Sequence, residues 1–152
     1  MPFFDSDKEL ELFFNSSIND FFKVHGEKRF REIEEKVILD KIKSNKKNGF
    51  VMSLGGGAYL NKNVRKLIDS IGISIWLDGN IDIIYSRIKK SKNKRPLTKR
   101  FNSKEKLKKL LNERVFYYQK ASIKVNIIKT SKEKMAEIIL KKVNNYINKN
   151  ND

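Results

Sequence analysis

Two aspartates stand close together near the start of the chain, directly after a short apolar segment. Asp5 and Asp7 follow Phe3-Phe4, where a strand ends and a helix begins. One carboxylate at such a place can hold the water shell of a metal ion. The other can accept a hydrogen bond from a substrate hydroxyl or help to remove its proton. Ordinary helix capping explains the same pair equally well, so the two aspartates indicate chemistry only together with other residues.

A run of three glycines is the second unusual feature, because the whole chain holds only seven. Gly55, Gly56 and Gly57 follow a buried-strand pattern at residues 50–54. Without side chains, the backbone N–H groups of this run can reach a bound carboxylate or hydroxyl. A flexible turn is the alternative. Three consecutive glycines lose much chain entropy on folding, which favours a functional reason for them.

Arginine is uncommon in this chain, since only seven of its 34 basic residues are Arg. Where lysine is the usual cation, an arginine indicates a site that needs a planar guanidinium with paired donors. Three arginines stand in distinctive segments: Arg31 in G-E-K-R-F-R, Arg95 in R-P-L, and Arg114 in N-E-R. Taken singly, each is explained more simply as a solvated cation.

The elements that must position these residues are short apolar strands alternating with helices. Strand patterns occur at residues 3–4, 50–54, 71–77 and 123–128, and the segments between them show helical spacing, with one break near residues 24–26. Helix starts are indicated by Ser6-x-x-Glu9, Asn102-x-x-Glu105 and Thr130-x-x-Glu133. This alternation predicts an α/β domain with a mainly parallel sheet. In such sheets, ligands bind beyond the carboxyl ends of the strands.

The composition is that of an ordinary globular domain: 152 residues, 39% hydrophobic and 34% charged. The chain has no cysteine, which excludes disulfides and thiolate metal sites and is typical of a reducing cytoplasm. No apolar run approaches the roughly 20 residues that span a bilayer. We therefore expect a cytoplasmic monomer without a membrane partner.

The formal net charge of +16 allows three explanations. Lysines spread over polar helix faces, as an A/T-rich coding bias would produce, account for it most simply. A basic protein can also bind nucleic acid, or act on anionic substrates. The sequence contains no recognised nucleic-acid motif, and its aromatic residues fall mostly on apolar faces, which argues against nucleic acid as a partner.

Five segments, in this order along the chain, resemble shikimate kinase: F-x-D-x-D, G-E-x-x-F-R-x-x-E, S-L-G-G-G-A, R-P-L and E-R-x-x-x-Y. The resemblance extends from Pro2 to the C-terminal helix. It implies a three-layer, P-loop-kinase-like α/β fold. It also implies phosphorylation of shikimate to 3-phosphoshikimate in aromatic amino-acid (chorismate) biosynthesis, with ATP as co-substrate and Mg²⁺ as the metal.

The resemblance assigns roles on the substrate side. Arg31 and Arg114 match the arginines that hold the shikimate carboxylate, a pairing suited to guanidinium groups. Asp7 matches the carboxylate that binds the ring hydroxyls and orients or deprotonates the attacking one. Gly55, Gly56 and Gly57 match the backbone that lines the shikimate pocket.

The resemblance also assigns roles on the nucleotide side. Asp5 matches the carboxylate near the water shell of Mg²⁺. Arg95 matches the arginine that approaches the transferred phosphoryl group, and Arg87 one that stacks near adenine. Residues 89–103 would form a lid that closes over the site and excludes water.

One departure from the family concerns the start of the chain. Family members begin with a strand, a phosphate loop of the form G-x-x-x-x-G-K-[ST] and a helix, and no stretch of this sequence matches that loop. We therefore expect the chain to lack this first β–α unit and to show little or no turnover. We also expect a single domain over residues 1–148, with a frayed tail at 149–152. A non-catalytic remnant that binds an anion or a partner is the alternative, followed by a basic nucleic-acid-binding protein.

Overall fold

The computed structural model of the chain describes residues 1–90 and 103–151. These residues fall into two compact units, residues 1–71 and residues 72–90 together with 103–151. Each unit contains one pair of parallel strands flanked by helices. The predicted α/β class with parallel strands is therefore confirmed. Among the helices of these residues, none is both long enough and apolar enough to cross a membrane.

The first unit begins with strand β1 and ends with helix α3. Its elements are β1 (Phe3–Asp5), α1 (Ser6–Phe14), α2 (Ile18–Asn45), β2 (Val51–Ser53), a 3-10 turn (Ala58–Leu60) and α3 (Lys62–Ile71). Strands β1 and β2 are parallel, and their pairing runs from Phe3 opposite Val51 to Asp5 opposite Ser53. The carboxyl ends of both strands therefore lie side by side, which brings the aspartates and the glycine run to one edge.

The core of the first unit forms where α2 packs against the 3-10 turn and α3. Ile38 and Ile42 lie one turn apart on α2, and they bury their side chains against Ala58 and Val64. Leu10 of α1 is fully buried as well. Two other large apolar residues of α1 are exposed, since Leu12 is 76% and Phe13 55% exposed.

Two backbone breaks set the helix boundaries in the first unit. The predicted break near residues 24–26 is confirmed at Gly26, whose φ of 75° and ψ of 175° are non-helical inside α2. Such angles are practically restricted to glycine. The predicted first helix extends too far, because Asn15 adopts a left-handed conformation (φ 50°) and ends α1 at Phe14.

The second unit pairs its two strands over five residues. Its elements are β3 (Ile75–Gly79), α4 (Ile81–Lys90), α5 (Lys104–Tyr118), β4 (Ile123–Ile127) and α6 (Lys132–Asn151). Strands β3 and β4 are parallel, from Ile75 opposite Ile123 to Gly79 opposite Ile127. The Ser74 and Ser122 hydroxyls lie 3.2 Å apart just before the strands, and the Ser122 N–H donates to Ser74 Oγ at 3.0 Å.

Two helix caps of the second unit differ from the predicted ones. Helix α5 is capped by Ser103, whose Oγ accepts the Lys106 N–H, and not by Asn102. At α6 it is the Ser131 hydroxyl, and not Thr130, that accepts the Lys134 N–H. The residue that caps is the one at which the chain enters the helix, and sequence spacing defines this to within one or two residues only. Residues 149–151, expected to be part of a frayed tail, form the last turn of α6.

Candidate active site

Asp5 and Asp7 lie where β1 passes into α1. Asp5 Oδ1 accepts a hydrogen bond from the Asp7 N–H at 3.0 Å, so Asp5 caps α1. The predicted capping role of Ser6 is therefore wrong. Asp7 is half-buried in the first turn of the helix. The capping explanation thus applies to Asp5, whereas Asp7 directs its carboxylate toward the glycine run.

Ser6, between the two aspartates, contacts the glycine run directly. Its Oγ accepts the Gly55 N–H at 2.9 Å, and the residue has no exposed surface. Sequence reasoning missed this contact because it joins residues 49 positions apart. The Ser6 hydroxyl is a polar group that links the end of β1 to the turn after β2.

Side-chain ends of neighbouring residues lie directly against two of the three glycines. A Cβ atom on Gly55 would lie 2.7 Å from Asp7 Oδ1. A Cβ atom on Gly57 would lie 2.5–2.7 Å from the guanidinium atoms of Arg31. At both positions the ends of neighbouring side chains occupy the space that a Cβ atom would take, so a side chain there would displace the Asp7 carboxylate or the Arg31 guanidinium. The structure thereby brings Asp7, Arg31 and the Gly55–Gly57 run together.

Glu34 is a further residue of this cluster, and it was not among the predicted site residues. Its carboxylate Oε2 lies 2.6 Å from Arg31 Nη1, and its side chain is only 6% exposed. A Cβ atom on Gly55 would lie 3.8 Å from its Oε1. Arg31 also lies 3.5 Å from Glu27, one helical turn earlier. The spacing of three residues from Arg31 on a helix is the sequence signal that could have identified Glu34.

A second carboxylate on α2 fixes the segment that follows the glycine run. The side-chain amides of Asn63 and Asn61 donate to Glu35 at 2.6 and 2.7 Å. These two hydrogen bonds hold the pKa of the Glu35 carboxyl below its ordinary value of 4.5, with Asn63 making the larger contribution. Asn61 also accepts the Val64 N–H and so caps α3. Helix α2 is therefore hydrogen-bonded to the segment that follows the glycine run and begins α3.

The remaining predicted site residues belong to other parts of the chain. Arg114 lies on α5 in the second unit and is half-buried, and its Nε is buried without a hydrogen-bond partner among the described residues. Arg87 is exposed on α4. Arg95 lies outside the described residues, as does most of the expected lid at 89–103. Lys89 and Lys90 are helical, at the end of α4.

The fit of Mg²⁺ rests on Asp5. Within residues 1–90 and 103–151, no group of three or more His, Cys, Asp or Glu side chains is placed to hold a metal ion. Mg²⁺ keeps several of its waters and takes one or two protein carboxylates, often with substrate phosphates. Only Oδ1 of Asp5 is engaged in the helix cap, so its other oxygen suits a contact through water.

The cluster in the first unit combines three kinds of polar group on one backbone segment. The Arg31 guanidinium beside Gly57 is suited to bind a carboxylate of a ligand, and the Asp7 carboxylate beside Gly55 is suited to accept a hydrogen bond from a ligand hydroxyl. The glycine backbone can be approached closely between them. This set of groups is suited to a small molecule that carries both an acid and hydroxyls.

Comparison with known proteins gives one consistent result. A family model described as shikimate kinase matches residues 1–145. A shikimate kinase from Bartonella quintana (strain Toulouse) is 41% identical over 147 residues, which cover 97% of this chain and 68% of that protein. A shikimate kinase from Rhizobium meliloti (strain 1021) is 36% identical over 140 residues, covering 92% and 71%.

Solved structures agree with this result. The shikimate kinase from Acinetobacter baumannii in complex with shikimate superposes with a TM-score of 0.80 at 28% identity, covering 91% of this chain and 76% of that one. The shikimate kinase from Aquifex aeolicus gives a TM-score of 0.73 at 31% identity, covering 92% and 80%. The predicted kinase fold is confirmed by these similarities.

Proposed function

Since the chain belongs to the shikimate kinase family, a family of phosphotransferases, we propose that it binds shikimate at the Gly55–Gly57 cluster for phosphorylation by ATP. The observation that carries this proposal is the packing of Asp7 and Arg31 against the two ends of one three-residue backbone segment. Shikimate offers a carboxylate at one side of a ring and hydroxyls at the other. The cluster offers a guanidinium for the acid and a carboxylate for a hydroxyl.

Arg31 holds the carboxylate of shikimate in this proposal. Its side chain is 29% exposed, so it is not sealed off from a ligand. The buried Glu34 carboxylate holds the group in one orientation. A fixed guanidinium can make paired hydrogen bonds to a carboxylate, and it loses little side-chain freedom on binding. Arg114, in the E-R-x-x-x-Y segment, is proposed as a second arginine for the same carboxylate.

Asp7 acts on the hydroxyl that receives the phosphoryl group. It accepts the hydrogen bond of the 3-hydroxyl, orients that oxygen toward the γ-phosphorus of ATP, and takes its proton as the bond to phosphorus forms. The bond between the γ-phosphorus and the β,γ-bridging oxygen breaks, and ADP leaves. The protein contributes mainly positioning and charge stabilisation, as is usual for phosphoryl transfer.

The nucleotide side of the proposal rests on three residues. Asp5 would hold the water shell of a Mg²⁺ ion, which when bound supplies neutralising charge on the phosphates of ATP. Arg95 is proposed to approach the transferred phosphoryl group, with residues 89–103 as the lid, and Arg87 to lie near adenine. Because the 152 residues contain no G-x-x-x-x-G-K-[ST] loop, we expect this polypeptide alone to bind shikimate with little or no turnover. We propose a monomer that works in the cytoplasm, in the chorismate pathway.

Titration of the purified polypeptide with shikimate, followed by calorimetry, tests the proposal. Arg31→Ala should weaken binding about 10- to 100-fold, because hydrogen bonds to a charged group contribute about 1.5–3 kcal/mol. Arg29→Ala is the matched control, since Arg29 lies on the same helix and is 61% exposed. Its affinity should equal that of the wild type. Equal loss in both variants, or no saturable binding by the wild type, would contradict the proposal.

Two alternatives predict other outcomes of the same titration. A basic nucleic-acid-binding protein should bind only polyanions, with an affinity that falls steeply with salt. A non-catalytic remnant that binds a different anion should show no binding of shikimate in this titration. Binding of a single small acid, lost with Arg31, separates the proposed function from both.

A further inference from the structure

The hydrogen-bond ladder between β1 and β2 ends at the edge that carries the site. Asp5 opposite Ser53 is its last pair. Beyond this pair the chains separate, because one enters α1 and the other turns into the glycine run. The Gly55 N–H therefore has no strand partner. The Ser6 hydroxyl accepts it at 2.9 Å, and so adds one side-chain hydrogen bond where the backbone ladder stops.

The Ser6 hydroxyl is not needed for the helix in which it stands. Asp5 already caps α1 through the Asp7 N–H. Ser6 is fully buried, and a buried hydroxyl is costly unless it is hydrogen-bonded. Gly55 provides that bond. An alanine would fill this place in the helix equally well, so the reason for a serine lies in the glycine run.

The same glycine is the one that Asp7 approaches. A Cβ atom on Gly55 would lie 2.7 Å from Asp7 Oδ1, so the carboxylate and this backbone are in close contact. Ser6 precedes Asp7 directly and holds Gly55 by its N–H. The hydrogen bond between Gly55 and Ser6 thus ties the residue next to Asp7 to the backbone that the Asp7 carboxylate approaches.

We propose that Ser6 is a positioning residue, which fixes the glycine run against Asp7 so that both address the hydroxyl side of the substrate. This inference rests on the proposed function, because the ligand it concerns is shikimate. Ser6 does not touch the ligand in this proposal. It acts through Gly55, and its loss should affect recognition of the hydroxyls more than recognition of the carboxylate.

The test compares shikimate binding by the full chain and three variants. Ser6→Ala should bind shikimate about tenfold more weakly, which corresponds to about 1.4 kcal/mol. Ser6→Thr keeps a hydroxyl and should restore most of the affinity. Ser74→Ala is the matched control, because Ser74 is also buried and also accepts a backbone N–H, from Ser122 in the second unit. It should lose stability without losing affinity.

A second ligand separates positioning from a general loss of structure. Cyclohex-1-ene-1-carboxylate keeps the acid of shikimate and lacks its hydroxyls. Its affinity should be the same for Ser6→Ala and the wild type. If Ser6→Ala does not fold, Ser6→Cys replaces it, since a thiol of similar shape is a weaker acceptor, and it should shift shikimate affinity in the same direction.

The outcomes distinguish this inference from the proposed function. Wild-type binding of shikimate that is unchanged in Ser6→Ala overturns the inference alone. An equal loss for shikimate and for the hydroxyl-free acid overturns it as well, because the effect would then be general. No saturable binding of shikimate by the wild type overturns the proposed function and, with it, this inference.

Discussion

Arg29 and Arg31 stand two residues apart on α2, and each pairs with a glutamate three residues further on. The Arg29–Glu32 pair is exposed, whereas the Glu34 side chain of the other pair is 6% exposed. We expect Glu34→Gln to lower the free energy of unfolding by about 1–2 kcal/mol, because the buried carboxylate that pairs with Arg31 loses its charge. Urea denaturation measures this change.

Glu32→Gln is the control for that prediction. An exposed pair contributes little because water and salt screen it, so this variant should stay within about 0.5 kcal/mol of the wild type. Equal destabilisation by the two glutamine variants would show that burial of the Glu34 carboxylate does not matter.

Gly57 should be sensitive to the smallest possible side chain. A Cβ atom there would lie 2.5 Å from Arg31 Nη1, so Gly57→Ala should displace the guanidinium and weaken shikimate binding about tenfold or more. The measurement is a double-mutant cycle by calorimetry. In the Arg31→Ala background, Gly57→Ala should cost no further affinity. If the losses of affinity from the two substitutions are additive, Gly57→Ala does not act through Arg31.

Arg114 carries a buried Nε without a hydrogen-bond partner among the described residues. An unpaired buried donor lowers stability, and an apolar side chain of similar length avoids that cost. We expect Arg114→Met to raise the Tm of the ligand-free protein by about 2–4 °C, from a gain of about 1 kcal/mol. The same variant should bind shikimate more weakly. A lower Tm measured by calorimetry without ligand would contradict this.

Helix α2 and the start of α3 are joined through a titrating group, which makes their contact dependent on pH. The pKa of Glu35 is lowered in the folded state, so its contribution to stability is fully present above its ordinary value of 4.5. It is lost as the pH falls through the lower, folded-state pKa. We therefore expect the Tm difference between the wild type and Glu35→Gln to be constant above pH 4.5 and to narrow below it.

Asn63→Ala provides the control for this pH dependence. Removing the stronger donor brings the Glu35 pKa closer to its ordinary value, so stability should fall less steeply with acidification. A pH profile of the Tm that is the same with and without Asn63 would mean that the asparagine does not set the pKa of this carboxyl.

The elements themselves were largely predictable from the sequence. Each of the four strands lies inside or within two residues of a predicted apolar run, and short, continuously apolar runs are typical of strands in parallel sheets. The burial that such runs predict is confirmed only for β4, since Phe3 of β1, Val51 of β2 and Leu77 of β3 are exposed. The break at Gly26 was predictable because glycine tolerates its angles. The turn at Asn15 was not, because most asparagines are not left-handed. The predicted capping residues were wrong for a similar reason, since several neighbouring residues could each accept the same N–H.

The site was predictable in part for a different reason. Motif spacing indicated Asp7, Arg31 and the glycine run, and the parallel pairing of β1 with β2 brings them together. The Ser6–Gly55 hydrogen bond was not predictable, because it depends on how two chains separate at the end of a ladder. The structure brings Asp7, Arg31 and the glycine run together but does not test what they do, so the roles of all the site residues stay predictions: Asp5, Asp7, Arg31, Gly55–Gly57, Arg87, Arg95 and Arg114.

At the scale of the whole molecule, the net charge of +16 dominates the electrostatics. Like charges repel one another more strongly in the compact state than in the unfolded chain, and salt screens this repulsion. We expect the Tm to rise between about 50 mM and about 500 mM NaCl and then to level off. Differential scanning calorimetry at fixed pH measures it. A Tm that falls over this range would show that favourable ion pairs outweigh the repulsion.

Trp76, the single tryptophan of the chain, lies on β3 and provides a fluorescence signal that comes from the second unit alone. Its ring lies 6.1 Å from that of Tyr118, one turn after Arg114 on α5, and Lys124 Nζ lies 4.4 Å from its centroid. Its emission, excited selectively, therefore reports on the surroundings of β3 and α5, while the phenylalanines of the first unit stay dark. Addition of shikimate would shift the wavelength or the intensity of this emission only if binding alters the surroundings of Trp76 in the second unit.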